Sequence, residues 1–114
     1  MISLVFLLIP FVFPQDTHES IGTWVVTAYC AGPCCCGKWS DGRTANNHII
    51  QDGEHLIAAP PGIPFGTMLY VPGYGWATVQ DRGGSIKGKR LDLLFPTHQE
   101  ALQWGRREVE VFKQ

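Results

Sequence analysis

Glycine and proline punctuate this chain so often that short strands are the only regular elements that fit between most of them. With 13 Gly and 8 Pro, turn signals recur roughly every 8–12 residues beyond the first twenty, the spacing of an all-β domain. The segments between them are β-branched and aromatic. "TWVVTAYC" (Thr23–Cys30), "HLIAA" (His55–Ala59), "GTMLYVPG", "GWATVQD" and "KRLDLLF" all read as strands. The third and fourth form a hairpin about Pro72–Gly75. "THQEALQWG" carries Thr97 as N-cap, Glu100 three residues on and Gly105 as C-cap, so one short helix is expected there. "REVEVFK" alternates polar and apolar residues and closes the domain as a strand. About six short strands with one helix favour a small closed barrel over an open sheet with exposed edges.

At 114 residues, 45% of them hydrophobic, the chain has material for one core and no room for a second. Only 17% of residues are charged, the formal net charge is -1, and there is no basic tract. Neither nucleic acid nor an anionic membrane surface is therefore an expected partner.

Residues 1–18 read as a leader. The apolar run Ile2–Phe13, broken by Pro10, spans roughly 18 Å as a helix, too short for a bilayer core of ~30 Å. A secretory signal peptide cleaved within Phe13–Ser20 is the expectation, with an uncleaved anchor, or a start codon placed slightly too far downstream, as the alternatives. The folded domain is then expected over 22–114, exported, with no stable membrane span once the leader is removed.

Four cysteines, Cys30, Cys34, Cys35 and Cys36, fall within "YCAGPCCCGKWSDG". In an exported domain of this size they are disulfide candidates, with three possible pairings, stapling a loop that has little core of its own. Zinc is the alternative, with His48 or His55 supplying a missing ligand, but three contiguous thiols fit one tetrahedron poorly. Free thiols are the remaining case. No cofactor or metal is expected.

The chemistry-bearing stretch is "VQDRGGSIKGKRLDLLF" (Val79–Phe95), with Asp81 before a double glycine and Asp92 between leucines. Strand alternation sets Leu91, Leu93 and Phe95 on one face, with Asp92 and Leu94 on the other. Desolvation on such a wall raises a carboxyl pKa, and a charge at Asp81 raises it further, giving a proton donor for general acid catalysis. The competing reading is structural: Asp92 accepts hydrogen bonds from the amides of Gly83, Gly84 and Ser85. For Asp81 the structural reading is a turn cap or an ion pair with Lys87, Lys89 or Arg90. Its functional reading is to orient Asp92 or hold sugar hydroxyls, with Gly83 and Gly84 admitting a polymer close to the backbone.

The run from Ile63 to Phe112, "IPFGTMLYVPGYGWATVQDRGGSIKGKRLDLLFPTHQEALQWGRREVEVF", closely resembles the 3D domain, named for three aspartates. Upstream, "VTAYCAGPCCCGKWSDGRTA" resembles the cysteine-bearing form of that family. The "DRGG…RLDL" core is similar to domains of the lytic transglycosylase MltA and of the rare lipoprotein A group. The resemblance implies a six-stranded double-psi β-barrel, periplasmic or extracellular at the cell wall, whose partner is the glycan strand of peptidoglycan. It implies a lytic transglycosylase that cleaves the MurNAc-β-1,4-GlcNAc bond and leaves a 1,6-anhydro-MurNAc end. Asp92 matches the catalytic aspartate and Asp81 the second of the three, while Thr44 matches a position lining the groove. Tyr29 or Trp39 could then stack on sugar rings, although core packing is the commoner fate of large aromatics. Where the family carries Asp-Pro this chain has Pro60-Pro61, so a weakened or inactive, wall-binding domain is the alternative reading.

Overall fold

The computed structural model describes residues 18–30, 43–51, 53–83 and 86–114. Strand β1 (Glu19–Cys30) is followed by β2 (Leu56–Ala58), β3 (Met68–Val71), β4 (Gly75–Asp81) and β5 (Arg90–Phe95). Helix α1 (His98–Trp104) and strand β6 (Arg107–Lys113) complete the chain. The strands close into a barrel in the order β1-β5-β2-β4-β3-β6. Two pairings are parallel, β1 with β5 and β2 with β4, and the antiparallel β2/β5 contact joins them. The hairpin β3/β4 and the antiparallel β3/β6 and β1/β6 ladders finish the circuit, so none of these strands presents a free edge. Among the described residues this is the six-stranded double-psi barrel with one short helix that the sequence implied.

Inward-facing residues alternate along each strand and meet in one core. Val26, Ile57, Leu69, Val71, Val79, Leu91, Leu93 and Val111 are fully buried. Helix α1 forms where its caps predict: the Thr97 hydroxyl accepts from the Glu100 amide at 3.1 Å, and Gly105 ends the helix at φ 70°. It seals one side of the barrel with Ala101 and Trp104, whose indole N–H donates to the Val26 carbonyl at 3.0 Å. Tyr74 packs beside Trp104 and donates to the Leu94 carbonyl at 2.6 Å, and burial pushes its phenol pKa well up.

Strand β1 begins earlier than its β-branched run. Glu19 and Ser20 pair with Lys113 and Phe112 of β6, and the register shifts before Thr23. Gly22 makes that irregularity possible, with φ 94° and the Lys89 ammonium 2.5 Å from where a Cβ would stand.

Candidate functional site

The outer wall over β1, β5, β2 and β4 carries the polar side chains of interest. Thr27 lies opposite Asp92 in the parallel β1/β5 register, and Ala58 of β2 lies opposite Asp92 on its other side. Ala58 is also the partner of Asp81, so the two aspartates flank one small residue. Regular alternation would have put Gln80 opposite Ala58. A bulge intervenes: Ile57 pairs with Val79, but Ala58 pairs with Asp81. The extra residue turns both Gln80 and Asp81 toward the wall while Val79 stays in the core.

Asp92 is half-buried, with Leu91 and Leu93 pointing into the core on either side and Leu94 buried. The expected division of faces therefore holds along β5. The Thr27 hydroxyl donates to Asp92 Oδ1 at 2.9 Å. Burial raises the Asp92 pKa from 3.8 to about 6. The Thr27 hydrogen bond and the Arg90 charge pull it down, and the Asp81 charge pushes it up. Arg90 lies two residues earlier on the same face, its Nη2 3.5 Å from Thr27 Oγ1 and its Nε buried without a hydrogen-bond partner. The sequence offered Arg90 only as a possible partner of Asp81; its spacing of two from Asp92 is the signal that it shares this wall.

Asp81 is held differently. Its Oδ2 accepts from the Tyr29 hydroxyl at 3.0 Å, and its Oδ1 accepts the backbone N–H groups of Ala45 and Arg82, each at 2.8 Å. These donors take the place of the lysine or Arg90 ion pair weighed from the sequence. Asp81 thus pins the segment 43–48 to the barrel, helped by Asn46 Nδ2, which donates to Gln80 Oε1 at 2.9 Å.

Thr44 is buried, at 7% exposure. Its hydroxyl donates to Asn46 Oδ1 at 2.5 Å and accepts the His48 amide at 3.1 Å, so it organises the segment from within. The expected Asn46-Asn47 turn forms, with Asn47 at φ 68°. Tyr29 reaches Asp81 from the same face of β1 as Thr27. Gly83 is exposed at the end of β4, and its carbonyl accepts the Ile86 amide at 3.0 Å. Gly84, Ser85 and Trp39 lie outside the described residues.

Arg82 props the neighbouring turn. Its guanidinium donates to the carbonyls of Ala59 at 3.3 Å and Ile63 at 2.8 Å and lies 4.0 Å over the Phe65 ring.

Cys30 is buried at the end of β1, while Cys34, Cys35 and Cys36 lie outside the described residues. Of the histidines weighed as metal ligands, His48 pairs with Glu54 at 2.6 Å and His55 stacks on Tyr74. Among the described residues no group of three or more His, Cys, Asp or Glu is placed to hold a metal ion. None of the described helices is long and apolar enough to cross a membrane.

The closed barrel with two aspartates flanking one alanine on its outer wall is a 3D-type double-psi domain. The chain belongs to the 3D domain family, whose match covers residues 55–114. It is 33% identical over 92 residues to the putative cell wall shaping protein YabE of Bacillus subtilis (strain 168), covering 81% of this chain and 22% of that protein. With the cell wall-binding protein YocH of the same organism it shares 46% identity over 57 residues, 49% of this chain and 20% of YocH. The SPbeta prophage-derived uncharacterized protein YorM, also from Bacillus subtilis (strain 168), is 35% identical over 99 residues, 83% of this chain and 41% of YorM. The chain therefore spans less than half the length of each of these relatives.

Proposed function

We propose that this domain acts on peptidoglycan at the cell wall as a lytic transglycosylase with Asp92 as its single acid and base. The observation that carries the reading is the Asp92 carboxyl itself, half-buried on an outer wall with its pKa raised to about 6. A carboxyl in that range holds a proton in a useful fraction of molecules near neutral pH and is also basic enough to take one back. In the first half of the reaction protonated Asp92 gives its proton to the glycosidic oxygen as the bond from that oxygen to C1 of MurNAc breaks. In the second half the Asp92 carboxylate takes the proton of the C6 hydroxyl as O6 bonds to C1. The 1,6-anhydro ring forms, no water is consumed, and Asp92 ends protonated as it began. A second carboxylate as nucleophile is not needed, which suits an Asp81 already occupied by three donors.

Family membership and the cell-wall names of YabE and YocH support peptidoglycan glycan strands as the partner and an exported location. On this reading Asp81 is a positioning residue, Tyr29 and the segment about Thr44 shape the groove, and Gly83 and Gly84 let the glycan approach the backbone. A disulfide from Cys30 to one of Cys34, Cys35 and Cys36 would tie down the segment that follows β1.

One observation favours a second reading. Pro60, in the position where the family carries its first aspartate, is buried and has no group that can accept or donate a proton. A domain that binds wall glycan without cleaving it would be consistent with that. Incubation with purified sacculi separates the two. Release of anhydro-muropeptides by the wild type, lost by at least about a hundredfold in Asp92→Asn, is expected for the enzyme. Equal release by both proteins, or none by the wild type, removes it.

A further inference from the structure

A recess surrounds the indole of Trp24, and neither Asp92 nor Asp81 is among the residues that line it. One cavity of about 520 Å³ is lined by Trp24, Pro60, Pro61, Ile63, Lys87 and Gly88, among others. A second, of about 320 Å³, shares Trp24, Gly62 and Ile63 with it and continues past Ile21 and Pro64 to Lys113. The two therefore form one trough with an apolar floor and a lysine toward each end. Both volumes fall in the range of small-ligand sites.

The trough is built rather than incidental. One bank is the turn Pro60–Pro64, closed by the Ile63 amide on the Pro60 carbonyl at 3.0 Å and held by Arg82 on the Ala59 and Ile63 carbonyls. Two consecutive prolines remove backbone freedom there. The other bank is Lys87–Gly88, pinned on one side by buried Ile86 and on the other by the Lys89 carbonyl, which accepts the Val25 amide at 3.0 Å. Preformed banks lower the ordering cost of binding.

Charge chooses the occupant. No carboxylate is among the described residues lining either cavity. Lys87 and Lys113 are joined by Lys89, whose ammonium stands 5.9 Å from the Trp24 ring. Lys113 is 47% exposed and meets Glu19 only at 3.9 Å, in solvent, so it is available to a ligand. A local surplus of positive charge in a chain of formal net charge -1 asks for an anionic ligand. The Trp, Ile and Pro floor also asks for apolar groups between the ligand's charges, which a polyol phosphate chain lacks.

We propose that this trough binds a short acidic peptide, and that on the cell-wall reading given above the peptide is the carboxylate-bearing stem of peptidoglycan. The identity of the peptide rests on that reading, whereas the site does not depend on turnover at Asp92. Glycan at the aspartate wall and stem peptide in the Trp24 trough would be held together, so that peptide-bearing strands bind better than bare ones.

The test is a titration of the isotope-labelled full chain, followed by NMR, with the acidic stem tetrapeptide released from sacculi by an amidase. Saturable shifts of the Trp24 indole N–H and of the Gly62, Ile63 and Gly88 amides are expected. Binding should weaken at least tenfold in Lys87→Glu and survive in Lys87→Arg. Lys87 is exposed, and circular dichroism checks that the variants fold. Lys113→Glu, at the other end, repeats the test if Lys87→Glu does not fold. The proposal is overturned if the peptide leaves those signals in place, if peptide-free glycan shifts them equally, or if a polyol phosphate chain displaces the peptide more tightly. Absence of peptide shifts while anhydro-muropeptides are still released would remove this site and leave the proposed function. Peptide binding with no glycan cleavage would do the reverse.

Discussion

Thr27 and Asp92 face each other across the parallel β1/β5 ladder, and the threonine hydroxyl donates to the carboxyl at 2.9 Å. That hydroxyl has another acceptor, the Leu91 carbonyl at 3.3 Å, but the shorter bond to a carboxylate is the stronger one. It stabilises the charged form of a group whose burial favours the neutral form.

Removing this donor should therefore raise the Asp92 pKa above its value of about 6. For Thr27→Val the rise expected is on the order of one unit, the equivalent of one charge-assisted hydrogen bond partly replaced by water. Carbon-detected NMR titration of the Asp92 carboxyl reads it directly. If the domain releases anhydro-muropeptides, the alkaline fall of kcat/KM should begin near pH 6 in the wild type and move up with the same substitution. A fall that stays in place would separate Asp92 from the proton donor.

Stability carries the opposite sign from that of an ion-paired aspartate. The folded pKa, about 6, lies above the ordinary 3.8, so between these values the folded state holds more proton than the unfolded chain. Ionised Asp92 accordingly destabilises the fold: the cost is absent below about pH 4, grows through the window between the two pKa values, and is complete above about pH 6. The full difference is on the order of 3 kcal/mol. Asp92→Asn should thus unfold at higher urea concentration than the wild type at pH 8 and at the same concentration at pH 3.5, the comparison cancelling every other titrating group. Equal midpoints at both pH values would show that the wall is wetter than its burial indicates.

Asp81 should act through the segment it anchors. Asp81→Ala leaves the Ala45 amide, the Arg82 amide and the Tyr29 hydroxyl without their acceptor. A loss of about 3 kcal/mol is expected, less if water enters. Hydrogen exchange gives the sharper reading, with Ala45 losing protection before the β-ladder amides do. Unchanged exchange at Ala45 would mean that the Asn46–Gln80 bond alone suffices.

Arg82 offers a test of shape against charge. Lysine keeps the charge but not the planar fork that reaches the carbonyls of Ala59 and Ile63 together while lying on Phe65. Arg82→Lys should cost about 1–3 kcal/mol in urea denaturation. A neutral outcome would reduce Arg82 to a solvated surface charge.

What could be read from the sequence was what short range decides. Helix α1 keeps the limits set by its caps, because Thr97, Glu100 and Gly105 act within one another's reach. Strands β4 and β6 likewise match their segments residue for residue. The start of β1 was missed because Glu19 and Ser20 are strand only through pairing with β6, over ninety residues away along the chain. The face of Asp92 followed from alternation alone. The partners of Asp81 did not, since a tyrosine hydroxyl from β1 and an amide from the Thr44 turn meet it only once the barrel closes. The trough about Trp24 was equally hidden: its banks come from segments that become neighbours only when β2 and β5 pair.

The bulge at Gln80–Asp81 has a consequence for how such a domain diversifies. Up to Val79, strand β4 is bound by the parity of the core, where each insertion or deletion would exchange inside for outside. Past it, the bulge absorbs that parity, and the outer wall is addressed independently of the interior. Substitutions beyond the bulge can therefore change the chemistry of the outer wall without exchanging the inside and outside of β4.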